Sequence, residues 1–185
     1  MKISKLLAAM LAAAMAVVAL GAFTGCNAND ANEKVIRESI TEEFDAYKNH
    51  DASVVNQIRT QNAVDLATLG IDGEEYANAL LDGFDYTIDD VTVDGKEATV
   101  TLTLTQKDLD EDEAAAIVEE LADDPAVTDM SYDELKQAVS DRIFEYIASV
   151  PAAAQDPVTI HLELNGDTWE LTPESEQRME TLFTF

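Results

Sequence analysis

Apolar positions along this chain follow three rhythms. Residues 6–23, LLAAMLAAAMAVVALGAF, are apolar without interruption. From Ala31 the pattern becomes helical: Val35, Ile36, Ile40, Phe44 and Tyr47 fall three and four apart with Glu and Lys between them, which predicts an amphipathic helix of about four turns. Asp30 and Glu33 have the spacing of a capping box at its start. A second helix opens at Asp51 or Ser53 and carries Val54, Val55 and Ile58, and the stretch up to Gly70 allows a further turn or two. GEEYANALLDG predicts another helix, with Tyr76, Ala77, Leu80 and Leu81 on one side and a stop at Asp82-Gly83.

At Phe84 the period falls to two. FDYTIDDVTVDGKEATVTLTLTQ alternates apolar and polar residues around Asp94-Gly95, a pair suited to a two-residue type I′ hairpin turn. That turn sets Val93 opposite Lys96 and Val91 opposite Ala98. The even-numbered Phe84, Tyr86 and Ile88 share a face with the odd-numbered Val91 and Val93 only if a β-bulge lies at Asp89-Asp90. With the bulge, Ile88 faces Val100, Tyr86 faces Leu102 and Phe84 faces Leu104. A second hairpin follows in DPVTIHLELNGDTWELT, where an Asn165-Gly166 turn pairs Leu162 with Trp169 and Ile160 with Leu171.

Between the hairpins lie two helical patterns. One, DEDEAAAIVEELADD, stops at Asp124-Pro125; the other, SYDELKQAVSDRIFEYIASVP, opens on a Ser131/Glu134 capping box and carries a stripe of Leu135, Val139, Ile143, Tyr146 and Ile147. Thr172-Pro173-Glu174 then starts a last helix through Met179, Leu182 and Phe183. Helices, hairpin, helices, hairpin, helix is the order of an α+β fold. N-terminal helices pack on a bent antiparallel sheet built from two β-hairpins, with a helical insertion between them.

The continuous run at the N-terminus is of another kind. Lys2 and Lys5 precede it, and the small residues Thr24 and Gly25 follow. Positive charges, an apolar stretch and small residues make a secretory signal peptide over residues 1–25. A membrane-spanning helix is the rival reading, at the short end of what crosses a bilayer of ~30 Å. The sequence ends this segment with Phe23-Thr24-Gly25-Cys26, which resembles the lipobox of bacterial lipoproteins, with Phe23 where that family usually has Leu. In that family the Cys sulfur takes a diacylglyceryl group and the chain is cut before it. The resemblance therefore implies that Cys26 is the lipidated mature N-terminus, residues 26–32 are a tether, and residues 33–185 form a single domain in the bacterial cell envelope, facing outside the cytoplasm. Cys26 is the one cysteine of the chain, and acylation removes a thiol that would otherwise stand unpaired in an oxidising compartment. Two acyl chains give firm anchoring where one gives marginal binding.

Charge narrows the partners. The 185 residues include 38 acidic and 11 basic side chains, a formal charge of −27. Without Lys2 and Lys5 the basic count is 9, and the charge −29. Such a field repels nucleic acid and anionic membrane faces, which excludes nucleic acid as a partner.

The chemistry-bearing residues are few. His50 sits at a helix end beside Asp51, and His161 on the polar side of a strand; both read as surface histidines. Asp108, Asp110, Asp112 and Glu119 stand at positions 1, 3, 5 and 12 of a calcium loop, but Glu113 occupies the position where the turn needs Gly, and EAAAIVEEL favours helix. No metal and no cofactor is expected.

The opening helix ending EEFDAYKNHD, the bulged hairpin and the late NGDTWELT together resemble the nuclear-transport-factor-2-like superfamily, and more narrowly small bacterial lipoproteins of that fold. The resemblance implies a cone-shaped α+β domain with a pocket, lined by Phe44, Tyr47, Tyr86 and Trp169, and some members of the superfamily are enzymes. A non-catalytic binding or interaction module for a small ligand or an envelope protein is the expected function. A small pocket enzyme of isomerase or hydrolase type, or an acidic envelope protein that binds a cationic partner, is the alternative.

Overall fold

The computed structural model describes residues 28–182; the signal segment, the lipobox with Cys26, and Phe183 lie outside the described residues. The elements in chain order are α1 (Ala28–Lys48), α2 (Ala52–Gln61), α3 (Ala63–Leu69), α4 (Gly73–Leu81), β1 (Asp85–Asp94), β2 (Glu97–Lys107), α5 (Glu111–Asp123), a short 3₁₀ turn (Pro125–Asp129), α6 (Tyr132–Ser149), β3 (Ala152–Ala154), β4 (Val158–Asn165), β5 (Thr168–Leu171) and α7 (Pro173–Leu182). The fold is α+β: an open, five-stranded antiparallel sheet with helices between its strand pairs.

Among the described residues α1 is already helical from Ala28, so the segment expected as a tether is helical over residues 28–32. Asn32 is buried in it, one turn before Ile36, and extends the stripe of Ile36, Ile40, Phe44 and Tyr47. The stripe is already buried at Asn32, so the chain is helical through the position where Asp30 and Glu33 suggest a cap, because tertiary burial outweighs a local cap. Helices α2 and α4 bury the residues their periodicity selects, Val54, Val55 and Ile58 in one and Tyr76, Ala77, Leu80 and Leu81 in the other. The capping box of α6 is present, with Ser131 and Glu134 bonding each other's backbone.

The strand order is β1-β2-β4-β5, with β3 also on β2. The bulge lies between Ile88 and Asp90, where the sequence demands it. The pairing is displaced from the expected register in both hairpins. Val93 faces Ala98, Val91 faces Val100, Ile88 faces Leu102 and Tyr86 faces Leu104; in the second, Leu164 faces Trp169 and Leu162 faces Leu171. The loops are therefore Gly95-Lys96 and Gly166-Asp167, each one residue later than expected. The cause is the same in both. A type I′ turn centred on Asp94-Gly95 or Asn165-Gly166 needs positive φ at the Asp or Asn as well. Here Gly95 and Gly166 have φ of 65° and 66°, and Asp94 and Asn165 do not join them. Glycine at the first central position, alone in positive φ, is the pattern of a type II′ turn. Because the displacement moves each partner by two residues, every side chain keeps its face.

Strand β3 is unexpected: Ala152, Ala153 and Ala154 have little strand propensity, yet they pair with Lys107, Gln106 and Thr105. β3 and β4 run along the same edge of β2, parted by Gln155, Asp156 and Pro157. Gln155 N–H still donates to Leu104 O at 2.8 Å, so the backbone of the neighbouring strand recruits these alanines. Where β5 ends, α7 takes over its bonding: Thr172 N–H donates to His161 O at 3.0 Å, and His161 N–H donates to Ser175 Oγ at 2.8 Å.

Candidate functional site

The four aromatic side chains expected to line a pocket are part of the packing. Phe44, Tyr47 and Trp169 are 0%, 1% and 1% exposed, and Tyr86 is half-buried. Phe44 stacks on Phe84 with centroids 6.2 Å apart and meets Tyr86 at 5.1 Å, while Trp169 lies on β5, three strands along from β1. Phe44, Tyr47 and Tyr86 pack with Phe84 where α1 meets the sheet, and Trp169 is buried on β5, as large aromatics are when burial is available. Burial raises the Tyr47 hydroxyl well above the ordinary tyrosine range, with a further push from Glu43. Residues 108–119 form the capped helix start that the sequence favours over a calcium loop. The Asp110 carboxylate accepts from Asp112 N–H at 2.8 Å and Glu113 N–H at 3.2 Å and so caps α5. Among the described residues no group of three His, Cys, Asp or Glu side chains is placed to hold a metal ion.

His161 is exposed on the outer face of β4, its Nδ1 3.3 Å from Thr99 Oγ1. His50 is placed very differently. It lines a cleft of about 550 Å³ together with Glu75, Asn78, Ala79, Asp82, Lys107, Phe144, Ile147 and Ala148. Glu75, Asn78, Ala79 and Asp82 follow the 3-4-7 spacing of one face of α4, and Phe144, Ile147 and Ala148 form one face of α6. The cleft is the gap between these two helices, closed at its ends by the turn after α1 and the last residue of β2.

His50 reaches that gap because of how α1 ends. His50 N–H donates to Tyr47 O at 3.1 Å and Asp51 N–H to Ala46 O at 2.9 Å, the two bonds of a Schellman motif. The position His50 occupies in it is usually glycine, because the chain there turns left-handed, and His50 has φ 53°. A side chain in that conformation costs ~1 kcal/mol. The imidazole is then oriented by α4. Asn78 Nδ2 donates to Glu74 O at 2.9 Å, which leaves Asn78 Oδ1 as the acceptor for His50 Nδ1 at 3.0 Å. With Nδ1 carrying the proton, Nε2 is the ring nitrogen left to accept from a ligand.

Lys107 forms the buried end of the cleft at 5% exposure, and its Nζ donates to Val150 O at 2.8 Å, at the C-terminus of α6. Sequence reasoning missed this residue, as it missed Glu75, Asn78 and Asp82. The one local signal was a lysine closing an alternating strand. A smaller hollow of about 420 Å³ lies among Arg59, Thr60, Ala63, Leu66, Ala67, Ile71 and Gly73; it holds no oriented polar pair. Among the described residues no helix is long and apolar enough to cross a membrane.

No protein-family profile matches the chain, and no curated protein matches it. A solved structure to which the chain is similar is that of the Bacillus subtilis protein YcdA, described as a "putative lipoprotein", with 19% identity and a TM-score of 0.43. The similarity covers 98% of this chain, which spans 56% of the length of that structure.

Proposed function

We propose that this protein is an extracytoplasmic lipoprotein of the bacterial cell envelope, anchored through acylated Cys26, whose folded part is a non-catalytic binding module with its ligand in the α4–α6 cleft. The anchor rests on the sequence: two lysines, an apolar run and Phe23-Thr24-Gly25-Cys26. Labelled palmitate is incorporated into the wild type; equal labelling of Cys26→Ala removes the anchor from the reading.

One observation carries the binding role. His50 is held in a costly left-handed conformation with its ring oriented by Asn78, at the mouth of a cleft with an apolar wall. Strain retained at a polar group facing a concavity is the signature of a functional position. A small set of apolar and polar fragments titrated into the labelled protein shifts the resonances of His50, Asn78 and Ile147 together; no shift at any of them by any fragment overturns the reading.

The cone of the nuclear-transport-factor-2-like proteins is the finer fold proposal. It is supported by α1 packing against the bulged strand β1, with the aromatic cluster filling the space between them. A second functional reading, an acidic envelope protein that meets a cationic partner, is favoured by a row of four carboxylates across the outer sheet face, Asp94, Glu97, Glu163 and Glu170. Salt-sensitive binding of polylysine, lost when Glu97 and Glu163 are neutralised, tests it.

A further inference from the structure

We propose that the α4–α6 cleft takes a zwitterion with an apolar side chain, an α-amino acid or a short peptide. This rests on the binding reading of the same cleft and adds the class of ligand.

Lys107 is the starting point. In a chain with 38 acidic and 11 basic residues, this lysine is buried, 5% exposed, and among the described residues it has no carboxylate in ion-pair range and one hydrogen bond, to Val150 O. An ammonium has three N–H donors, so the carbonyl at the end of α6 holds the group in place and leaves two donors without an acceptor among the described residues. A buried cation in that condition is costly unless an anion joins it. A carboxylate entering the cleft supplies both the charge and the acceptors.

A simple anion is disfavoured there. The whole chain projects a negative field, and Glu75 and Asp82 stand exposed on the α4 side of the same cleft. An ammonium group on the ligand turns those two carboxylates from repulsive to attractive. Between the charged ends, Phe144 and the buried Ile147 present an apolar wall, and His50 Nε2 is available to accept an N–H. One buried cation, two exposed anions and an apolar side make the complement of an amino acid with a hydrocarbon side chain. A cleft of about 550 Å³ is within the ordinary range of small-molecule sites, ~300–1,000 Å³, and admits a free amino acid or a dipeptide.

The test uses the full-length chain in detergent micelles with isoleucine methyl groups labelled, and five probes: L-leucine, L-leucyl-L-leucine, N-acetyl-L-leucine, L-leucinamide and isoamyl alcohol. Leucine or the dipeptide shifts the Ile147 methyl saturably, and the tighter of the two identifies the source. N-acetyl-leucine, which lacks the ammonium, and leucinamide, which lacks the carboxylate, each bind at least about tenfold more weakly. Lys107→Met loses the response. Because that variant also removes a bond to α6, the exposed pair Glu75→Gln and Asp82→Asn serves as the second arm, weakening leucine about tenfold with the fold intact. Equal binding of leucine and either blocked probe overturns the proposal. A shift with isoamyl alcohol and none with the zwitterions overturns the ligand class and leaves the binding cleft standing; no shift with any probe overturns both.

Discussion

Glu97 on β2 stands directly opposite Glu163 on β4, and Asp94 and Glu170 extend the same row to the neighbouring strands. Like charges in directly opposed positions destabilise a sheet, whereas opposite charges stabilise it. Glu163→Lys faces Glu97 on one side and Glu170 on the other, and raises unfolding free energy by on the order of 1 kcal/mol. The gain shrinks in about 1 M salt, where the screening length falls to ~3 Å. Urea titrations of both proteins at low and high salt check it; a gain independent of salt is not electrostatic.

His50→Gly separates the two roles of that position. Glycine adopts the left-handed end of α1 without strain, so the variant is more stable than the wild type by ~1 kcal/mol. It also loses the ring that Asn78 orients, and with it the fragment response at the cleft. A variant that is both less stable and still responsive contradicts the site as described.

Glu43 on α1 gives a pH dependence with a definite sign. Burial, then the neighbouring Glu42, holds its carboxyl above the ordinary value of 4.5. The ionised form is therefore disfavoured in the native state, and its penalty is complete above the folded pKa and gone below about 4.5, where native and unfolded chains are both protonated. Glu43→Gln raises the melting temperature at pH 7 and leaves it unchanged at pH 3.5, measured by circular dichroism. An equal rise at both pH values points to a packing effect instead.

Tyr86 ties α1 to the sheet. Its hydroxyl donates to Asp45 Oδ1 at 2.9 Å and lies 3.3 Å from Thr41 O. Tyr86→Phe keeps the ring against Phe44 and removes the hydrogen bonds, and costs ~1 kcal/mol in a urea titration. In an Asp45→Asn background the cost is smaller, because the charged acceptor is already gone.

The sequence by itself determined the local grammar: which stretches are helix or strand, the bulge beside Asp89, the capping box at Ser131 and the faces on which Val91, Val100, Leu102 and Ile160 lie. These follow from period, cap chemistry and side-chain alternation, all of which act over a few residues. The remaining features come from long-range packing. Three alanines become β3 because Lys107, Gln106 and Thr105 offer an unpaired backbone edge. α1 is helical ahead of the Asp30/Glu33 cap because burial of Asn32 supports another turn. Phe44 and Tyr47 are core because α1 packs against β1 around them, and Trp169 is core in the sheet's last strand. The cleft is likewise a product of assembly. It draws His50, Asn78, Phe144 and Lys107 from four separate elements, and no spacing along the chain encodes their meeting, since it depends on the angle at which α4 and α6 pack across the ends of α1 and β2.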